Sequence, residues 1–228
     1  MGLKSNSRFK INILGLKLSF INPFCSVNNK VILVKNGKKY RKYFYPANIK
    51  FYGSNNCVEF YEKIPKLKNV KIELGNNSAI KIHESQYTIK NLKINARADN
   101  VLVDIGKDFS SESCSIDFHG EPNVHVVIGD DCQFGCDIEI DTADGHTIFN
   151  EQGNVINKPQ NIMIGNHVWL CKNVSVLKGV VIPDNCVAAK GSILTKQYTD
   201  INRVIAGIPA KQKDGYITWS RKANKDFI

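Results

Sequence analysis

Long apolar runs are missing from this chain. The longest candidate, around Ile11 to Phe20, is broken by Gly15 and Lys17 and falls short of the roughly 18 apolar residues that cross a bilayer, so no transmembrane segment is expected. No apolar core with a small-residue cleavage site marks the N-terminus. The seven cysteines are odd in number and follow no regular disulfide spacing, which points away from a disulfide scaffold and toward a reducing, bacterial cytoplasm. Nucleic-acid-binding motifs are absent, and the five histidines form no cluster of three at ligand spacing. Neither nucleic acid nor a metal ion is therefore an expected partner.

Acidic residues are scarce in one region only. Residues 1–71 hold 15 Lys/Arg against 2 Asp/Glu, net +13, and the remainder holds 16 against 19, net −3. The densest stretch, Lys38-Lys39-Tyr40-Arg41-Lys42-Tyr43-Phe44-Tyr45, has charge suited to an anionic glycan or a peripheral membrane surface. A solvated edge strand with its aromatics turned inward accounts for it better.

What the chain does have is a repeat. Steps of six from Ile164 give Leu170, Val176, Ile182, Ala188 and Leu194, and a companion register gives Val168, Val174, Val180, Cys186 and Ser192. The turn positions between them hold His167, Asn173, Gly179, Asn185 and Gly191, Asn or Gly in four cases of five, residues that tolerate positive φ. A lone strand alternates with period two and a helix repeats near 3.6, so a period of six implies a solenoid whose hexads each supply a short strand and a corner. The frame recurs upstream at Ile128, Phe134 and Ile140, with Cys132 and Ile138 as companions. It blurs further back into short strands at Val70–Leu74, Ile80–Ile82, Ile89–Ile94, Val101–Ile105 and Ser115–Phe118. Cys132 and Cys186 fill small inward positions as compact hydrophobes. Asn36-Gly37, between Val31–Lys35 and Lys38–Arg41, is a favoured two-residue hairpin turn. The expected organisation is a β cap over 1–55, a solenoid over 56–200 and a tail over 201–228.

The ordered strings Ile164-Gly165-Asn166-His167-Val168-Trp169, Val176-Leu177-Lys178-Gly179-Val180, Gly191-Ser192-Ile193-Leu194-Thr195-Lys196 and Ala206-Gly207-Ile208-Pro209-Ala210-Lys211 resemble the hexapeptide-repeat acyltransferase superfamily, in particular its sugar and capsule O-acetyltransferases. The resemblance runs over roughly residues 124–221. It implies an all-β, left-handed parallel β-helix, an exception to the right-handed crossover rule, a homotrimer with active sites between subunits, acetyl-CoA as co-substrate and a carbohydrate acceptor, an anionic glycan among the candidates.

Between Ile140 and Ile164 the chain leaves the frame, so residues 147–160 form a long projecting loop, of the kind that usually carries function. An alcohol needs a base as it attacks a thioester, and imidazole suits that task near neutral pH. The resemblance assigns it to His146, preceding the loop, with Asp144 as the expected orienter of its ring and the Trp169 segment beside the thioester, a main-chain N–H there facing the developing oxyanion. His83, His119 and His125 are read as ordinary surface or core residues. Coenzyme A contacts fall by resemblance on Trp169, Lys190, Gly191, Thr195, Lys196, Pro209 and Lys211, the lysines as point charges for phosphate. Cys171-Lys172 and Lys190 depart from the small residues usual there. N-acetylation of a nucleotide-linked amino sugar and a non-catalytic scaffold stand as alternatives.

Overall fold

The computed structural model describes residues 10–13, 16–19, 28–43, 45–223 and 226 of the chain. Phe44 of the basic stretch, much of the expected cap before Asn28 and the last residues of the tail lie outside the described residues. Lys10–Ile13 and Leu16–Ser19 pair as a separate antiparallel hairpin.

Three sheets of eight, seven and eight strands make the sides of a prism, and the chain is a left-handed parallel β-helix. Side one runs from Lys30–Lys35 to Val181–Ile182, with Lys38–Arg41 added antiparallel at its edge. Side two runs from Asn48–Phe51 to Ile193–Leu194, and side three from Lys66–Lys68 to Val204–Gly207, closed by an antiparallel Ala210–Gln212. Because Lys30–Lys35 already pairs in parallel with Cys57–Tyr61, and Asn48–Phe51 with Lys71–Leu74, stacking extends upstream of the expected start near Asn56.

The hexad frame accounts for the C-terminal coils and not for the earlier ones. Leu194 lies above Val176 after 18 residues, the three hexads of one coil, whereas Ile94 follows Ile72 by 22 and Ile140 follows Ile116 by 24. Most strands of the early coils have three to six residues in place of two. This lengthening hides the period. It also divides the run read as Ile89–Ile94 into Thr88–Lys90 and Leu92–Ala96, with the corner at Asn91, φ 47°.

Corners are set by left-handed residues. His167, Asn173, Gly179, Asn185 and Gly191 all have positive φ, as the turn positions predict, and upstream the same geometry recurs at Asn55, Asn69, Asn77, Asn91, Asn100 and Asn123. Several of these carboxamides bond to the next coil, Asn69 to Asn91 at 2.8 Å and Asn100 to Asn123 at 3.0 Å. The apolar-Gly pairs have a steric cause. A Cβ on Gly129 would lie 2.6 Å from Asn166 Oδ1, and that oxygen accepts the Asp130 N–H at 2.9 Å. The glycine leaves room for one coil's side chain to cap the previous coil's backbone.

Inside, Ile72, Ile94, Ile116, Ile140, Val176 and Leu194 form one fully buried column of the core. Cys132 and Cys186 are buried at their companion positions, and burial pushes the Cys132 thiol up to about 12. The hairpin at Asn36-Gly37 forms, with φ 49° and 71°. Its outer strand is an edge, but Tyr40 and Tyr43 are exposed, and among the described aromatics of the basic stretch only Tyr45 is buried. They do not turn inward because the strand is added beyond the first coil. Basic side chains of the early coils converge on one buried carboxylate: Glu73, 1% exposed, accepts from Arg97 at 2.6 Å, Lys71 at 3.0 Å and Tyr52 at 3.1 Å. Burial raises its pKa, but the Arg97 and Lys71 hydrogen bonds outweigh this and hold it down to about 2.

Candidate active site

The expected catalytic residues sit on neighbouring coils and on different sides of the prism. Ile138–Asp141 is a strand of side two, and the chain then turns outward through Asp144, Gly145 and His146 before rejoining side one at Ile162–Ile164. Trp169 lies on side three, paired with Gln133 below and Val187 above.

The projecting loop is tightly organised at its base. Asn157 donates to Asp144 Oδ2 at 2.8 Å and to the His146 carbonyl at 2.7 Å, and accepts from Ile148 N at 2.8 Å. Lys178, one coil on, bonds both Asp144 Oδ2 and the Asn157 carbonyl. A bridge between Phe149 and Val155 closes the loop tip. There Ile148, Phe149, Val155 and Ile156 leave 41–60% of their surface exposed, a contiguous apolar tip of the kind that marks an interaction surface.

Asp144 does not bond the His146 ring. Its carboxylate is engaged by Lys178 and Asn157, and the Lys178 hydrogen bond, more than any other contact, holds its pKa below the ordinary carboxylate range. It staples the loop, and the expected orienter role is not what the geometry gives. His146 itself is exposed, as are Thr147 and Asp144. A groove of about 230 Å³ lies against it, lined by Glu121, Ala143, Thr147, Asn157 and Pro159 among others.

His119, read as an ordinary residue, stands one coil below this turn. Its Nε2 lies 2.8 Å from Asp141 Oδ1, its N–H donates to Asp117 Oδ1, and a Cβ on Gly145 would lie 3.6 Å from its Nδ1. The signal that could have found it is the Asp117–Asp141 register, which stacks Asp117-Phe118-His119 beneath the loop's origin.

The residues expected to contact coenzyme A fall in three places. Thr195 and Lys196 share a groove of about 340 Å³ with Asp144, Gln160, Lys178 and Gly179 on the loop's own edge. Lys190 and Gly191 form the corner between sides three and two. Pro209 and Lys211 belong to the terminal hairpin of side three, both exposed, with Ile208–Pro209 in cis. The Trp169 N–H is committed to Cys186 O at 3.0 Å and the Cys171 N–H to Ala188 O at 3.0 Å, so neither is free for an oxyanion. What Trp169 can offer is its indole.

The sequence reading did not anticipate what packs on that indole. The segment after the terminal hairpin runs back along side three as a strap. Trp219 stacks on His167 at 4.0 Å with its rings 13° apart, lies 5.8 Å from the Trp169 ring, and donates Nε1–H to the His167 carbonyl at 2.8 Å. His167 in turn bonds Asp131 at 2.7 Å. Two residues on, Arg221 donates through Nε to Asp131 at 2.9 Å, through Nη1 to Ser110 at 2.7 Å and Gln133 at 3.3 Å, and through Nη2 to the carbonyls of Asp108 at 3.1 Å and Cys132 at 2.9 Å. Every guanidinium N–H has an acceptor.

No protein-family model matches the chain. A polysialic acid O-acetyltransferase of Neisseria meningitidis is 33% identical over 169 residues, 65% of this chain and 78% of that protein. A polysialic acid O-acetyltransferase of Escherichia coli O1:K1 / APEC is 32% identical over 105 residues, 46% of this chain, which spans only 34% of that protein's length. The crystal structure of the polysialic acid O-acetyltransferase OatWY superposes with a TM-score of 0.51 at 25% identity, over 87% of this chain and 90% of that one.

Proposed function

This chain belongs to the family of hexapeptide-repeat O-acetyltransferases that contains the Neisseria meningitidis polysialic acid O-acetyltransferase, and from that premise we propose that it moves an acetyl group from acetyl-CoA to a hydroxyl of a bacterial surface glycan or glycoside. The observation that carries the reading is the loop: it is pinned at its base by Asn157 and Lys178, bears His146 at its origin and ends in an exposed apolar tip. Within one chain His146 and Trp169 occupy different sides of the prism. A homotrimer would bring one subunit's loop onto side three of the next, so that each site takes its imidazole and its indole from different copies.

In this reading His146 takes the proton of the acceptor hydroxyl as its oxygen attacks the thioester carbon. The tetrahedral intermediate collapses, the C–S bond breaks, and the imidazolium returns the proton to the departing thiolate. Acetyl ester and free coenzyme leave; no acyl-enzyme forms. The polarity of side three supports the placement of the donor, since Lys211 lies C-terminal to Trp169 along it, with Lys196 on the adjoining edge.

A second reading is favoured by one contact. His119 already has an orienting carboxylate at 2.8 Å in Asp141, the partner His146 lacks, so His119 is the competing base or a positioning residue beneath the loop. The test of the activity is thiol release from acetyl-CoA with polysialic acid as acceptor, followed by mass analysis of the sugar, and sedimentation to give the number of subunits. A gain of one acetyl group per thiol released supports the proposal. Thiol release without acetylated sugar, or a monomer with full turnover, overturns it.

A further inference from the structure

Side three continues past Trp169 in the direction away from the terminal hairpin, and there the strap leaves a groove of about 340 Å³. Gln133 pairs with Trp169, Ser110 with Gln133, and the Ile89–Ser111 pairing places Thr88 next in the same outward file. At the spacing of parallel strands, the three lie roughly 5, 10 and 14 Å from Trp169. On the opposite flank the file continues through Val187 and Val204 to the hairpin that carries Lys211.

We propose that this groove, bounded by Thr88, Ser110, Glu112, Gln133 and the strap's Arg221, is the subsite for the acceptor sugar. The inference rests on the acetyl-transfer reading for its placement: the coenzyme lysines lie C-terminal to Trp169, which leaves the N-terminal flank to the acceptor. Its own support is the polarity of the lining. Arg221, whose side chain is only 15% exposed, donates to Ser110 Oγ and Gln133 Oε1. That occupies their acceptor oxygens and leaves a hydroxyl proton and a carboxamide N–H to donate, while the exposed Glu112 carboxylate, paired with Lys90 at 2.7 Å, accepts. Donors and acceptors spaced across a shallow groove match the vicinal hydroxyls of a sugar ring, each of which both donates and accepts.

Arg221 does not contact the ligand as a charge. Its five N–H groups are bonded to protein, and its Cζ lies 4.1 Å from the centre of the Tyr87 ring, so it is a wall. A fixed wall lowers the cost of ordering the site when sugar binds.

The experiment compares wild type with Gln133→Leu and Glu112→Ala, using oligomers of polysialic acid as the probe. Saturation-transfer NMR reads sugar contact without turnover, and thiol release gives the Michaelis constants of both substrates. The expected result is a roughly tenfold or larger rise in acceptor KM in each variant, weaker saturation transfer, acetyl-CoA KM within about twofold and an unchanged melting temperature. Unchanged acceptor KM and saturation transfer in both variants overturns the groove and leaves acetyl transfer standing. Saturation transfer lost in the variants, with no acetylated product from wild type, supports the groove and removes the acetyl-transfer reading for this sugar. No saturation transfer to wild type overturns the groove for it.

Discussion

The two ends of the prism are built from the same corner geometry and do different things with their surfaces. In the N-terminal coils, turns of about 22 residues carry longer strands, and basic side chains fold back onto carboxylates, Lys39 onto Glu59 and Lys50 and Lys71 onto Glu73. In the C-terminal coils, 18-residue turns with two-residue strands leave the outer surface to a loop, a terminal hairpin and a strap. The lesson is that net charge and chemistry have separated: the region with the largest charge excess uses part of it internally, and the nearly balanced region holds the candidate site.

The sharpest test of that separation is His146→Ala. Loss of a general base lowers turnover by about 10²- to 10⁴-fold while acetyl-CoA affinity stays nearly unchanged; His119→Ala, measured beside it, should alter turnover less. The reverse ranking would move the base one coil down. Next in size is Glu73→Gln in the N-terminal half. Its carboxyl, held at about 2 against an ordinary 4.5, stabilises the fold fully above pH 4.5, and that contribution falls away as pH drops from there toward 2. The substitution should cost about 2–3 kcal/mol at neutral pH and flatten the acid limb of a denaturation series, with turnover per folded molecule intact.

Trp219→Ala comes third. Removing the ring that packs on His167 and Trp169 should raise acetyl-CoA KM about five- to thirtyfold, equivalent to about 1–2 kcal/mol, while Trp219→Phe restores most of it. A change in melting temperature with no change in KM would make the strap purely structural. Smallest is Asn69→Gly, which keeps the left-handed corner open to a residue without Cβ and deletes one exposed bond to Asn91; stability should move by no more than about 0.5 kcal/mol, as read from urea melts.

The legibility of the molecule followed the same division. Where coils are hexads, Ile164 to Leu194 could be read directly, down to the φ of each turn residue, because every side of the prism costs the same six residues. Upstream, added strand residues broke the period at Asn91 and moved the start of stacking earlier than Asn56, since a solenoid constrains which residues align and not how many separate them. His146 was readable as the start of an out-of-frame loop. Its neighbours were not: Asp144 turned to Lys178, and His119 came under the loop through the stacking of Asp117 on Asp141, 24 positions apart in the chain. Trp219 and Arg221 gave no signal at all, because their partners lie 52 and up to 113 positions away and a strap has no period.

The chain contains two tryptophans, and both rings lie on the same side of the prism, 5.8 Å apart. Intrinsic emission from the folded protein therefore originates at one place, between the flank assigned to the coenzyme and the flank assigned to the sugar. Titration of either substrate can be followed without a label, and a substrate that changes the emission only when the other is present is the second to load.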